Sequence, residues 1–282
     1  MDKGTVIPRL RLTSCGPAAA VALTAAVAVL LLAPVSAHAG TLLPERGGSP
    51  NADRIASLYA LVLVFAGLVF AGVVIALVYA LWRYRERRNP VAAQVRGNTR
   101  LEIGWTVAAA GLIVFLAVWS LAKLDAIESP DEAAAAPAAV EAGIVEPGPG
   151  QSLRIEVVGR QYLWMYRYPG GVYSYGEMVA PVGVTVELDV TSVDVAHSWW
   201  IPKLGGKIDA LPGYVSHTWF RIERPGVYTG QCAELCGRNH AEMRAQVRGV
   251  EPERYVDWLE RQRALIREAD EQVARDRAGS GA

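Results

Sequence analysis

The sequence predicts a membrane-anchored all-β protein: a two-helix transmembrane hairpin, then a β-sandwich or small barrel, then a C-terminal helix. Three observations carry this reading. Two apolar spans, residues 55–82 and 103–124, each hold the roughly twenty residues needed to cross the hydrocarbon core of a bilayer. Beyond residue 150 apolar and polar residues alternate at period two, with Pro and Gly breaking the runs. From Pro252 the apolar positions Tyr255, Trp258, Leu259, Leu265 and Ile266 return to a helical spacing among many charges. A chain of 282 residues can hold one or two domains with a substantial core, and a 52% hydrophobic share places it in a membrane-attached class.

Residues 1–39 open with Lys3, Arg9 and Arg11, run through apolar Ala18 to Leu32, and end in Ala37-His38-Ala39. This is the pattern of a cleaved signal peptide. Residues 40–54 then form a short outer segment ahead of the hairpin at 55–125. Between the two spans, residues 83–100 carry six arginines against one acid, which places that loop in the cytoplasm and both flanking segments outside. Tyr79, Trp82, Trp105 and Trp119 suit interfacial anchoring, and core packing explains each equally well. The formal charge is zero overall, yet residues 126–282 carry 16 Lys and Arg against 22 Asp and Glu. That acidity suits a basic protein partner reached by charge steering, and no nucleic acid.

Residues 126–150, rich in Ala, Pro, Glu and Gly, read as a linker. In the outer domain, residues 151–250, Leu153, Ile155 and Val157 lie opposite Arg154 and Glu156. Val184, Val186, Leu188 and Val190 lie opposite Thr185, Glu187 and Asp189. Turns fall at Pro169-Gly170-Gly171, Pro181-Val182-Gly183, Pro212-Gly213 and Pro225-Gly226. Residues 251–282 form a helical tail whose aromatic start packs on the sandwich and whose later part is charged nearly all round.

The stretch Gly230 to Met243 concentrates two thiols, an imidazole and a thioether: Cys232, Cys236, His240 and Met243. Two cysteines in an exported domain read equally well as a disulfide on spacing alone. A disulfide, however, needs neither His240 nor Met243, whereas soft sulfur donors beside an imidazole suit copper. A further ligand is expected from a histidine upstream, and His197 or His217 can supply it. No Cys-x-x-Cys-His occurs, so no c-type haem is attached covalently.

At this point the sequence is similar to subunit II of the haem-copper cytochrome c oxidases. The resemblance rests on Asp194-Val195-Ala196-His197-Ser198-Trp199, on Lys207-Ile208-Asp209-Ala210-Leu211-Pro212-Gly213, and on Gly230-Gln231-Cys232-Ala233-Glu234-Leu235-Cys236 with His240 and Met243. It also covers the two-helix anchor and runs from about residue 50 to about residue 260. It implies a cupredoxin-like domain with a dinuclear copper centre, CuA. Cys232 and Cys236 are implied as bridging thiolates, His197 and His240 as imidazole ligands, Met243 as a thioether ligand and Glu234 as a ligand through its carbonyl. The Glu234 side chain is further implied to help bind magnesium at the border with subunit I.

The resemblance also implies the working context: a bacterial plasma membrane, the copper domain on the outer face, a cytochrome c donor, and subunits I and III as neighbours. Electrons reach haem in subunit I, where oxygen reduction is coupled to proton translocation. Tyr162 stands where the family usually has the tryptophan at which electrons enter, and Trp164 matches a second aromatic of that segment. Trp200 and Tyr214 also depart from the usual residues. Glu102 matches a carboxylate at the mouth of a proton-uptake path, although an acid at a helix start is favoured by the helix dipole alone. Asp194 and Asp209 are candidates for donor docking or for the subunit border. Two other readings stay open: a nitric-oxide reductase subunit bearing the same copper domain, and a non-enzymatic membrane-tethered copper module.

Overall fold

The computed structural model describes residues 43–91, 93–130, 144 and 152–279. The expected signal peptide and most of the expected linker lie outside the described residues. Helix α1 (Pro50–Arg83) and helix α2 (Thr99–Glu128) are each long and apolar enough to cross a membrane. At 1.5 Å per residue they reach about 45–50 Å, so their ends project beyond a core about 30 Å thick.

Both helices begin several residues before their apolar spans, for local reasons. Helix α1 starts with Pro at its first turn, where the missing N–H is harmless, and Asp53 accepts the Gly47 N–H at 2.9 Å. In α2 the Asn98 side chain accepts from the Leu101 N–H at 3.2 Å, while Glu102 Oε1 accepts from the Asn98 N–H at 3.1 Å. That reciprocal cap fixes the start at Thr99. The helices touch through Phe65 and Phe115, edge to face at 5.5 Å. Their remaining apolar surface, including Leu68, Phe70, Ile75, Ile113 and Leu121, stays exposed, as lipid or partner helices require.

The ten strands of the described residues form two five-stranded sheets packed face to face. One contains β1 (Ser152–Arg160), β2 (Leu163–Arg167), β3 (Tyr173–Tyr175), β5 (Thr185–Ser192) and β8 (Ser216–Arg221), in the order β3-β2-β1-β5-β8. The other contains β4 (Glu177–Pro181), β6 (His197–Trp200), β7 (Ile208–Ala210), β9 (Gly226–Cys232) and β10 (Arg244–Val250), in the order β4-β10-β9-β6-β7. Pairs β1/β5 and β4/β10 are parallel.

Alternation sets which face of each strand is buried. Ile155, Val157, Val186, Leu188 and Val190 point between the sheets and meet Met178, Trp199 and Val247. Each such side chain, removed from water, contributes roughly 1.5–3 kcal/mol. Their outward neighbours form a cross-strand ladder: the charged pairs Arg154 to Glu187 at 2.8 Å and Arg167 to Glu156 at 3.1 Å, and a hydrogen bond between His217 and Asp189 at 2.8 Å. His217 is therefore an exposed, hydrogen-bonded histidine away from the cysteines.

Helix α3 (Pro252–Gly279) packs its first half on the sandwich. Tyr255 and Trp258 cluster with Tyr168, whose ring lies 5.0 Å from that of Trp258. From Arg267 onward every described residue of α3 is exposed.

The start of α1 is enclosed by the β-domain, where Ser49, Asn51, Ala52 and Ala56 are buried. Ser49 Oγ accepts the Arg221 N–H at 3.2 Å, and Asn51 Nδ2 donates to the Trp219 carbonyl at 3.1 Å. Trp219 in turn donates its indole N–H to the Ile127 carbonyl at the end of α2, 3.0 Å away, and Arg54 lies over its ring. One side chain thus ties strand β8 to both helices. Trp219→Ala is expected to lower stability by about 3–5 kcal/mol. Trp219→Phe, losing mainly the hydrogen bond, is expected to lower it by about 1 kcal/mol. Thermal unfolding of the detergent-solubilised chain measures both.

Candidate metal centre

Several loops meet at one end of the sandwich. Strands β9 and β10 pair in register up to Gln231 and Arg244, so the segment between them must turn back on itself. The Cys232 N–H donates to the Met243 carbonyl at 2.8 Å and closes that loop at its base. A short 3-10 turn, His240–Glu242, then delivers His240 and Met243 to the same side as the cysteines. His197 opens β6, whose neighbour in the sheet is β9. The Ala233 N–H donates to the Ser198 carbonyl at 2.9 Å, which pins the cysteine loop to β6.

Side chains remote in sequence thereby become neighbours. The Cys232 and Cys236 sulfurs are 3.9 Å apart, and both residues are free thiols. A disulfide would hold its sulfurs at about 2.05 Å. His197 Nδ1 lies 3.8 Å from Cys232 Sγ, and His240 Nδ1 lies 3.6 Å from Cys236 Sγ. Met243 Sδ is 3.8 Å from Cys236 Sγ, and the Glu234 carbonyl oxygen is 3.2 Å from Cys232 Sγ. His197, Cys232, Cys236 and Met243 are all buried.

These donors fit a metal. Neighbouring donor atoms 3.6–3.9 Å apart match the span of ligands sharing an ion with bonds of about 2.0–2.3 Å. One ligand atom from each of His197, Cys232 and Cys236 lies within 4.8 Å of the others, close enough that the three could hold one metal ion. Adding His240, Met243 and the Glu234 carbonyl gives more donors than one tetrahedral ion uses. Two sulfurs with nitrogen, thioether and carbonyl donors around them are soft enough to favour copper over hard cations. Without metal, burial and then the neighbouring Cys232 push the Cys236 thiol up to about 11, so metal uptake must displace protons there.

His197 sits in a fitted slot. The Trp164 ring meets it edge to face at 5.8 Å, and a Cβ placed on Gly159 would lie 3.0 Å from the imidazole and 3.1 Å from Trp164. Its far nitrogen, Nε2, donates to Asp194 Oδ1 at 2.9 Å. Burial opposes charge on Asp194. The N–H groups of Gln161 and Val195, together with His197, outweigh it and hold the carboxyl at about 2. Tyr162, half-buried, packs its hydroxyl against Gly237, where a Cβ would come within 2.7 Å of it. Gly237 has φ 131°, so both conformation and space require glycine.

The other expected residues lie elsewhere or have partners of their own. Glu102 is exposed at the start of α2, far along the chain from the cysteines, with its carboxylate in the helix cap. Asp209 pairs with Lys207 at 2.5 Å, and that ammonium lowers its carboxyl pKa. Lys207 also lies 3.9 Å from the Glu234 carboxylate, which is half exposed. Trp200 lines an open polar cleft of about 440 Å³ with Gln231, Ala241 and Arg244 beside the cysteine loop. Leu163, Val193, Val195, Tyr214 and Leu235 leave apolar side chains exposed around this end, Leu235 at 80%.

Sequence reasoning missed Gln161 and the two glycines. Gln161 Nε2 donates to the Cys236 carbonyl at 2.5 Å, and its backbone N–H donates to Asp194 Oδ2 at 2.7 Å. A lone glutamine beside an aromatic run carries no pattern of its own. Only the packing of the β1–β2 turn of one sheet against the loop after β9 of the other brings it over the cysteines.

Two family models match this chain: cytochrome C oxidase subunit II, transmembrane domain, over residues 37–123, and cytochrome C oxidase subunit II, periplasmic domain, over residues 172–250. The cytochrome c oxidase subunit 2 of Cereibacter sphaeroides is 33% identical over 266 residues, covering 78% of this chain and 82% of that protein. That of Alkalihalophilus pseudofirmus is 35% identical over 225 residues, covering 79% of this chain and 61% of that protein. Among solved structures, the periplasmic domain of subunit II of cytochrome oxidase from Bradyrhizobium japonicum is 36% identical. It covers 40% of this chain and 94% of that one, with a TM-score of 0.39. Two membrane-length apolar helices, a sandwich carrying free buried cysteines beside histidine, the two family models and the Cereibacter sphaeroides relative agree, and the chain belongs to the cytochrome c oxidase subunit II family.

Proposed function

We propose that this chain accepts single electrons from a cytochrome c on the outer face of a bacterial plasma membrane and passes them to haem in subunit I, where oxygen is reduced and protons are translocated. The observation that carries the reading is a set of six donors that includes two unbonded sulfurs 3.9 Å apart. In this reading Cys232, Cys236, His197, His240, Met243 and the Glu234 carbonyl would hold the copper. Bound copper supplies a one-electron couple; each electron given up by the donor is gained by the haem of subunit I, and no proton need move in that step.

The residues of this chain make such a relay fast by staying still. The closed base of the loop, the slot around His197 and the buried Met243 hold every donor in place whether or not an electron is present. Tyr162 gives a contact route inward, because its hydroxyl touches Gly237, the residue next to Cys236. Trp164 is fully buried with its ring edge to face against His197, and in this reading it packs behind that ligand. The exposed apolar side chains around this end, edged by acids, suit a protein donor held by a dry centre and a polar rim.

Three further assignments follow the same reading. The exposed Glu234 carboxylate contributes to magnesium at the border with subunit I, and one carboxylate beside a lysine requires the remaining oxygen donors to come from that subunit. Asp209, with Lys207, belongs to the same border. Glu102 faces the cytoplasm at the mouth of a proton path, while also capping α2. Subunit I, with subunit III beside it, covers apolar helix surface that would otherwise meet lipid.

Copper counting with electron paramagnetic resonance on the full-length chain tests the centre: two coppers sharing one unpaired electron are expected, and Cys236→Ser is expected to abolish that signal. A single isolated copper, or none, would sink the reading. For the inward route, Tyr162→Ala in the assembled oxidase is expected to slow cytochrome c oxidation roughly tenfold, about 1.4 kcal/mol of barrier. Tyr162→Trp should retain the rate, and unchanged turnover in Tyr162→Ala would remove this residue from the route.

A further inference from the structure

The ligand segments, 197 and 232–243, are joined by a third segment that supplies no ligand. It is the turn between β1 and β2, and it makes two contacts in opposite directions. The Gln161 backbone N–H donates to Asp194 Oδ2 at 2.7 Å, and the Gln161 side chain donates to the Cys236 carbonyl at 2.5 Å. Asp194 carries the first contact onward, since its other oxygen accepts from His197 Nε2 at 2.9 Å and from the Val195 N–H at 2.7 Å. Ser192 braces the same loop, its hydroxyl donating to the Val195 carbonyl at 2.5 Å and accepting from the Asp194 N–H at 3.3 Å. Strand β1 is tied in as well, because the Val193 N–H donates to the Gly159 carbonyl at 3.2 Å.

The chemistry of this chain of contacts is specific. A carboxylate only accepts, so Nε2 of His197 must carry the proton, and Nδ1 is left as the lone-pair nitrogen facing Cys232. Nothing else within hydrogen-bonding distance of Nε2 among the described residues sets that choice. Gln161 fixes Asp194 from one side and the carbonyl of a bridging cysteine from the other. It therefore couples the two ligand segments without touching a donor atom.

We propose that Gln161 and Asp194 are positioning residues of the copper centre, Asp194 setting the ring nitrogen and electron donation of His197 and Gln161 holding that carboxylate and the Cys236 segment in register. The assignment rests on the copper reading above. Outer partners of metal-bound histidines commonly alter metal affinity by about 10–100-fold when removed. A carboxylate on Nε2 also makes the imidazole a better donor to the oxidised metal, so its loss should raise the reduction potential.

The test uses the full-length chain in detergent, loaded with copper, with Asp194→Ala, Asp194→Asn and Gln161→Ala beside the unaltered protein. Three readouts are taken: the rate of copper loss to a chelator, the hyperfine coupling of each histidine, and the midpoint potential. Asp194→Ala is expected to lose copper about 10–100-fold faster, to change the coupling of one histidine only, and to raise the potential. Asp194→Asn keeps an acceptor for Nε2 but no charge, so copper retention should return towards that of the unaltered chain while the potential stays raised. Gln161→Ala should speed copper loss about tenfold with smaller change at the histidine. Should Asp194→Ala fail to fold, the other two variants decide. If they match the unaltered chain in all three readouts, the assignment is overturned. An unaltered chain without a coupled copper pair would overturn the copper reading as well, whereas a normal pair with unmoved variants would overturn this assignment alone.

Discussion

Two buried sulfurs held 3.9 Å apart without a bond between them are the constraint to which the rest of this end of the molecule responds. Left to itself, such a pair in an oxidising compartment closes to a disulfide. Stripped of protons, it is a pair of like charges in a poor solvent, which is why burial and the second thiol both oppose ionisation of Cys236. Metal cations resolve both problems together. The loop geometry prepares for them: backbone bonds close its base, a glycine with positive φ lets it turn under Tyr162, and histidines approach from two directions.

The sandwich is the means of bringing those directions together. Parallel pairing of β1 with β5 carries residues 161 and 194 to one end, and antiparallel pairing of β9 with β6 and β10 carries 197 and 232–243 there, so they become neighbours despite their separation along the chain. The charge ladder on the outer face of the first sheet contributes little stability, since exposed ion pairs are worth about 0–1 kcal/mol each. Its value is register: a slip by one residue would send Ile155 and Val157 outward and Arg154 inward. His197, fed by the next strand, would lose its slot.

Much of this was legible in the residues. Period-two alternation in 153–157 and 184–190 named the buried faces of β1 and β5, and the aromatic start of α3 named its contact with the sandwich. The cysteine loop announced soft donors through residue type alone, whereas the choice of His197 over His217 leaned on family resemblance; the structure brings only His197 to the sulfurs. The starts of both transmembrane helices were read too late, because hydropathy marks where lipid begins and the Ser49-Pro50 and Asn98 caps mark where the helix begins. Gln161, Gly159 and Gly237 were invisible for a different reason. Their roles are contacts between the two sheets and their end loops, and no local period encodes a contact between residues 75 apart.

The enclosure of the start of α1 carries a consequence for biogenesis. Asn51 is among the first described residues of the chain, and its partner Trp219 follows 168 positions later. During synthesis the helix start therefore waits, its polar groups unpartnered, until strand β8 has been made and paired. Only then does the β-domain lock onto the hairpin. Folding of the β-domain is thus registered back at the first helix, and a chain whose β-domain fails to fold presents an open, polar helix end.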